Sequence, residues 1–297
     1  AALVERGGED PALEAAARRD IETFTLLAEL DWDQVLAEVG GKAPREYGPV
    51  LANLPRWRGS SPFSFAELTE FYRANGAGLF ARHRAFLWED GALCPVEQPD
   101  CPGADEMLGY ELQRNRVIAN TRAMLEGNLV NNVLLYGDSG TGKSATVKNL
   151  LTLPGFEALR LIEVQKEGLA DLPRLIRTLG GRRLKFILFI DDLAFDQDDK
   201  TYSALKTILE GGLERRPANV AVYATSNRRR LVRQTFSDRA GDEVDASETI
   251  QEKTSLSDRF GLRIPYLALN QAEFLELVEG MAEQAGIALD RDSLRAE

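Results

Sequence analysis

Between residues 11 and 30 the apolar side chains Leu13, Ala17, Ile21, Phe24 and Ala28 recur at three- and four-residue steps, the spacing of one helix face. Trp32, Val35, Leu36 and Val39 keep that spacing until Gly40 and Gly41 end it, which predicts a second helix. Pro44, Pro49, Pro55, Gly59 and Pro62 then interrupt any long regular element and leave Trp57 as the anchor of an extended crossing. Helix resumes at Ser64, which forms a capping-box pattern with Glu67; Phe65, Leu68 and Tyr72 supply its buried stripe, and Gly76 and Gly78 stop it. Residues 85–88 fit either a strand or a last helical turn. This first third reads as a helical packing or docking module without a catalytic constellation.

The period changes after a proline-rich stretch, PVEQPDCP at residues 95–102, which reads as a linker and domain boundary. A helical stretch follows through Val117, Ala119, Thr121 and Leu125 to Gly127. Short apolar runs at 133–136, 159–164, 186–190, 220–225 and 262–267 then alternate with helical patterns at 143–151, 172–179 and 201–213. That alternation predicts an α/β fold with a five-stranded, mainly parallel sheet covered on both faces. Asn270 and Glu273 cap a last helix through Phe274, Leu277 and Val278. The expected segments are therefore 1–100, 101–269 and 270–297, with no internal repeat.

Composition narrows the function classes. The 297 residues carry a formal charge of −11 and a pI near 4.9, which argues against a protein that chiefly coats nucleic acid. A local basic run, Arg228, Arg229, Arg230 and Arg233, precedes the acidic, apolar-poor residues 234–253. A solvated loop is the default reading of both, and a nucleic-acid role for the arginines is weakly supported. Two cysteines, Cys94 and Cys101, and a single histidine, His83, support neither a disulfide framework nor a zinc site. No apolar run reaches the ~20 residues of a membrane span and the first residues lack a signal-peptide core, so a cytoplasmic location is expected.

The chemistry concentrates at residues 137–144, GDSGTGKS, between an apolar strand and a helix. A polyphosphate is held best by several inward-pointing backbone N–H groups, and Gly137, Gly140 and Gly142 give the chain the freedom to curl that tightly. Asp138, Ser139 and Thr141 complete the turn, Ala145 continues into the helix, Lys143 can reach the β- and γ-phosphates, and Ser144 can occupy one Mg²⁺ position.

Binding alone does not give hydrolysis, which also needs acids for the metal and the attacking water. Asp191, at the carboxyl end of the apolar run 186–190, suits the metal, and the adjacent Asp192 is the candidate general base. Asn227, ending the next strand, can orient the same water or touch the γ-phosphate; it can equally cap a helix. Arg259 precedes the last strand and can neutralise transition-state charge across a subunit boundary, or simply pair with its neighbour Asp258.

Taken together, the order of these motifs resembles an AAA+ ATPase from about Met107 onward. Residues 137–144 resemble its Walker A motif and residues 186–192 Walker B. Asn227 resembles sensor 1, Arg259 the arginine finger, and Leu108, Gly109 and Tyr110 the element that contacts adenine. LLYGDSGTGKS, LKFILFIDDL, ILEGGLE and YATSNRRRLV are more closely similar to a bacterial AAA+ family, domain of unknown function 815, and that likeness extends into the upstream helical region.

The resemblance implies binding of ATP or ADP with Mg²⁺, ATP hydrolysis, and a homo-oligomer in which Arg259 acts in trans. It also implies action on a macromolecular partner, met here through the N-terminal helices. The alternative is a nucleotide-gated loader or adaptor with little turnover. Two departures stand out. Asp192 replaces the Glu of many members, which predicts slow hydrolysis, and the helical lid beginning at residue 270 is expected to be truncated, with Arg291 and Arg295 weak substitutes for its sensor 2 arginine.

Overall fold

The computed structural model describes residues 1–42, 44–52, 64–103, 105–195, 200–210, 216–227 and 256–287. Trp57, the arginines at 228–233, the acidic residues 234–253, Arg291 and Arg295 lie outside them. The chain divides into two compact units, Ala1–Gly76 and Ala77–Glu297.

The first unit is helical among its described residues: α1 (Ala2–Glu5), α2 (Pro11–Glu29), α3 (Trp32–Lys42), α4 (Gly48–Ala52) and α5 (Phe65–Asn75). The Asp10 carboxylate caps α2 by accepting from the amides of Ala12 and Leu13 at 3.0 and 3.1 Å. Ser64 and Glu67 form the reciprocal capping box that starts α5. The apolar stripe of α2 is only partly covered: Ala17, Ile21 and Ala28 are half-buried, whereas Leu13 and Phe24 are exposed, as is Leu26 on another face of the helix.

The second unit is built on one sheet. Its strands are β1 (Ala85–Glu89), β2 (Ala92–Pro95), β3 (Val133–Gly137), β4 (Leu159–Val164), β5 (Lys185–Ile190), β6 (Val220–Ser226) and β7 (Leu262–Tyr266). They lie in the order β2-β1-β4-β5-β6-β3-β7, and every pairing is parallel except β1 with β2. Helices α6 (Leu79–Arg82), α7 (Glu111–Leu125), α8 (Lys143–Asn149), α9 (Leu172–Leu179), α10 (Lys200–Glu210) and α11 (Gln271–Gln284) accompany the sheet, with a short 3-10 helix at Lys166–Asp171 leading into α9. None of the described helices is long and apolar enough to cross a membrane.

The continuous apolar run of β5 follows from burial on both faces. Phe186, Leu188 and Ile190 enter one core with Leu172, Leu175 and Leu205 from α9 and α10. The alternate residues Ile187 and Phe189 enter the other with Val117, Met124 and Val147 from α7 and α8. Each such side chain contributes about 1.5–3 kcal/mol on burial, so this strand helps to clamp the two layers together.

The sheet has seven strands, not the five expected. Residues 85–88 are strand, paired in parallel with β4 from Ala85↔Leu161 to Trp88↔Val164, and the chain turns back at Asp90 and Gly91 to add β2. Both turn residues have positive φ, 48° and 73°, the conformation of a two-residue hairpin turn for which Asp-Gly is a standard signal. The hairpin covers the open side of β4. Residues 85–95 therefore belong to the sheet, and the division between units falls at Gly76, upstream of the proline-rich linker. Cys94 and Cys101 are free thiols.

Candidate functional site

Strand β3 ends at Gly137, whose φ is 140° and where an added Cβ would fall 1.9 Å from the carbonyl oxygen of Tyr266. Only glycine fits against β7 so closely. The Asp138 amide donates to that same oxygen at 2.9 Å, and the Asp138 carboxylate accepts from the Ala268 amide at 2.6 Å. Gly140 and Gly142 are left-handed, with φ of 74° and 81°, the curl that lets successive amides share one anion. Thr141 Oγ1 donates back to the Asp138 carbonyl at 2.8 Å. Ser139 lines the adjoining cavity, and Ala145 lies in the first turn of α8.

Lys143 is only 5% exposed. Its Nζ folds back onto the carbonyls of Gly137 and Asp138, at 3.2 and 2.5 Å. Burial pushes its pKa below the ordinary lysine value, and the carboxylates of Asp138, Asp192 and Asp191 oppose that shift.

The acids stand opposite because β6 alone separates β3 from β5. Ser144 Oγ donates to Asp191 Oδ1 at 2.5 Å. That oxygen also accepts from Thr225 Oγ1 at 2.5 Å and from the Asp192 amide at 3.1 Å. The Asp192 amide donates in addition to Thr225 Oγ1 at 2.9 Å. Asp192 is itself left-handed, φ 48°, and its Oδ1 accepts from Asn227 Nδ2 at 2.8 Å. The carboxyl ends of three neighbouring strands thus bring together the glycine loop, Ser144, Asp191, Asp192 and Asn227, the place where open α/β sheets bind ligands.

No three His, Cys, Asp or Glu side chains cluster as a self-sufficient metal site among the described residues. The hard oxygens of Ser144 and Asp191, in contact with each other, suit Mg²⁺ held by one carboxylate together with ligand phosphates.

Beside the loop lies a cavity of about 470 Å³, lined by Leu108, Gly109 and Tyr110 on one side and by Phe274 and Leu277 of α11 on another. That volume is in the range of small-molecule sites. Tyr110 is left-handed, φ 51°. Its hydroxyl donates to the Leu267 carbonyl at 2.6 Å, and its ring stacks on Tyr266 with centroids 4.9 Å apart. Burial pushes the Tyr266 phenol up to about 12, so it stays neutral while hydrogen-bonded to Thr146 Oγ1 at 2.9 Å. Tyr266 and Thr225 are additions that the sequence pattern did not single out, although Tyr266 ends β7 and Thr225 lies one residue before the end of the buried strand β6.

Arg259 is not with these residues. The β3–β7 register runs from Val133↔Leu262 to Gly137↔Tyr266, so a residue before Leu262 sits at the amino end of the strands. About 13 Å of strand separates that end from the loop. Its neighbour Asp258 pairs with Arg263.

Two solved structures show how far the likeness to known proteins goes. The RuvB Holliday junction branch migration motor of Thermotoga maritima is 17% identical, with a TM-score of 0.39 over 66% of this chain and 57% of that one. The ORC1 protein of Aeropyrum pernix, solved in complex with DNA, is 17% identical, with a TM-score of 0.41 over 60% and 50%. The chain thus spans just over half the length of the RuvB structure it matches. No curated protein matches it. Residues 81–297 match the family described as protein of unknown function (DUF815), and the chain belongs to that family.

Proposed function

We propose that this protein binds ATP with Mg²⁺ and hydrolyses it as an AAA+ ATPase, and that it uses the cycle to position or remodel a macromolecular partner. The observation that carries this reading is the meeting of the glycine loop and Ser144 with Asp191, Asp192 and Asn227 across adjacent strand ends. Loop amides and Lys143 hold the phosphates, Leu108, Gly109 and Tyr110 receive the base, and Ser144 and Asp191 hold the metal. When bound, Mg²⁺ neutralises charge on the phosphoryl oxygens. Asp192 accepts the proton of the attacking water, and Asn227 orients that water.

The position of Arg259 at the far end of the strands favours action on a neighbouring subunit's nucleotide. Mixing Arg259→Ala with Lys143→Ala protein tests this. Each variant alone is expected to lose turnover, by about 10³-fold or more for the arginine, and the mixture to regain it, because one intact loop then meets one intact arginine. A mixture as inactive as its parts would remove Arg259 from the site.

A second reading, a nucleotide-gated switch with little hydrolysis, is favoured by the bond that ties Asp192 to Asn227 and by an acid one methylene shorter than Glu. Phosphate release against protein concentration separates the two. Cooperative activation supports the assembling ATPase; flat, negligible turnover supports the switch. For the partner, the uncovered apolar residues of α2 in the first unit are the proposed contact.

The lowered pKa of Lys143 gives a pH dependence. A polyanion binds the protonated ammonium, so affinity is complete below that pKa and is lost as pH rises through it. Calorimetric titration with ADP from about pH 7 to 10 should show the fall earlier than an ordinary lysine would produce.

A further inference from the structure

A hydroxyl on a fully buried strand is destabilising unless both its hydrogen and its lone pairs find partners. Every residue of β6 is buried, and Thr225 is 2% exposed. Its Oγ1 donates to Asp191 Oδ1 at 2.5 Å and accepts from the Asp192 amide at 2.9 Å. One atom therefore touches two successive acids, and it constrains them in different ways.

On Asp191 it acts with Ser144 and the Asp192 amide: three donors converge on Oδ1, which fixes the rotation of the carboxylate. On Asp192 it acts through the backbone. A φ of 48° is disfavoured for a residue other than glycine and persists only where the surroundings hold it. The bond to the Asp192 amide supplies that hold, and the resulting turn directs the side chain to Asn227.

We propose that Thr225 is a positioning residue of the nucleotide site: its hydroxyl orients Asp191 toward the divalent ion and locks the backbone turn that aims Asp192. This rests on the nucleotide reading above. Thr225 touches neither phosphate nor water in this scheme; it acts through the two acids, as outer partners of metal ligands do.

Thr225→Val keeps the shape and removes the hydroxyl, and Thr225→Ser keeps the hydroxyl. ADP titrations with Mg²⁺ and with EDTA isolate the metal-dependent part of binding. Hydrogen exchange of the Asp192 amide in nucleotide-free protein reads the backbone part without any ligand. The valine variant is expected to keep its metal-free ADP affinity within about twofold and to lose about tenfold of the tightening that Mg²⁺ gives. Its Asp192 amide should exchange about tenfold faster or more. Serine should restore both. Should valine fail to pack, Thr225→Ala carries the same comparison.

The assignment is overturned if the hydroxyl-free variant matches wild type in either the Mg²⁺ ratio or the exchange rate, or if serine behaves like valine. A wild-type protein that binds no ADP would sink the nucleotide reading, and the metal role of Thr225 with it. Equal Asp192 exchange in all three proteins, with ADP binding intact, would sink the Thr225 assignment alone.

Discussion

Lys143→Ala is expected to abolish measurable binding of ATP and ADP. Among the described residues the Lys143 side chain is the buried positive group at the loop, where its ammonium donates two hydrogen bonds to carbonyls. On the proposed reading these donors turn to phosphate oxygens when nucleotide binds; hydrogen bonds to a charged group contribute about 1.5–3 kcal/mol each, so a substitution that removes two such phosphate contacts weakens binding by roughly 10²- to 10⁴-fold. Alanine also leaves those carbonyls without the donor, so some loss of stability accompanies the change; a melting curve separates it from the loss of affinity. Wild-type affinity by calorimetry in a folded Lys143→Ala protein would refute the nucleotide site.

Asp192→Asn is expected to do the opposite: nucleotide binds as before and phosphate release falls by about 10²- to 10⁴-fold, the usual worth of a positioned general base. Asparagine suits this test because it tolerates the left-handed backbone at this position and retains an oxygen that can accept from Asn227. The substitution therefore removes proton acceptance and little else. An unchanged release rate would show that another group activates the water.

The strand, turn and helix around residues 137–144 were legible because local spacing dictates them: a buried run, glycines where φ must be positive, then a helix. Strands β3 to β7 were legible as short apolar runs for the same reason. The β1–β2 hairpin was not, because its apolar run is short and its partner β4 lies some seventy residues away along the chain; Asp90-Gly91 was the available signal. Thr225 was invisible for a different reason. Its bonds reach across from β6 to the end of β5, and which strands become neighbours is a property of the sheet order. The stacking of Tyr110 on Tyr266 likewise joins residues far apart in sequence.

The inward fold of Lys143 bears on which anions can enter. An ammonium already satisfied by two main-chain oxygens must give these up before it grips anything else. A single-charged ion such as chloride offers one weak contact in exchange and gains little. A triphosphate offers several oxygens and a larger charge at once. If the loop holds phosphates as proposed, it discriminates by valence, favouring polyanions over the abundant small monovalent salts.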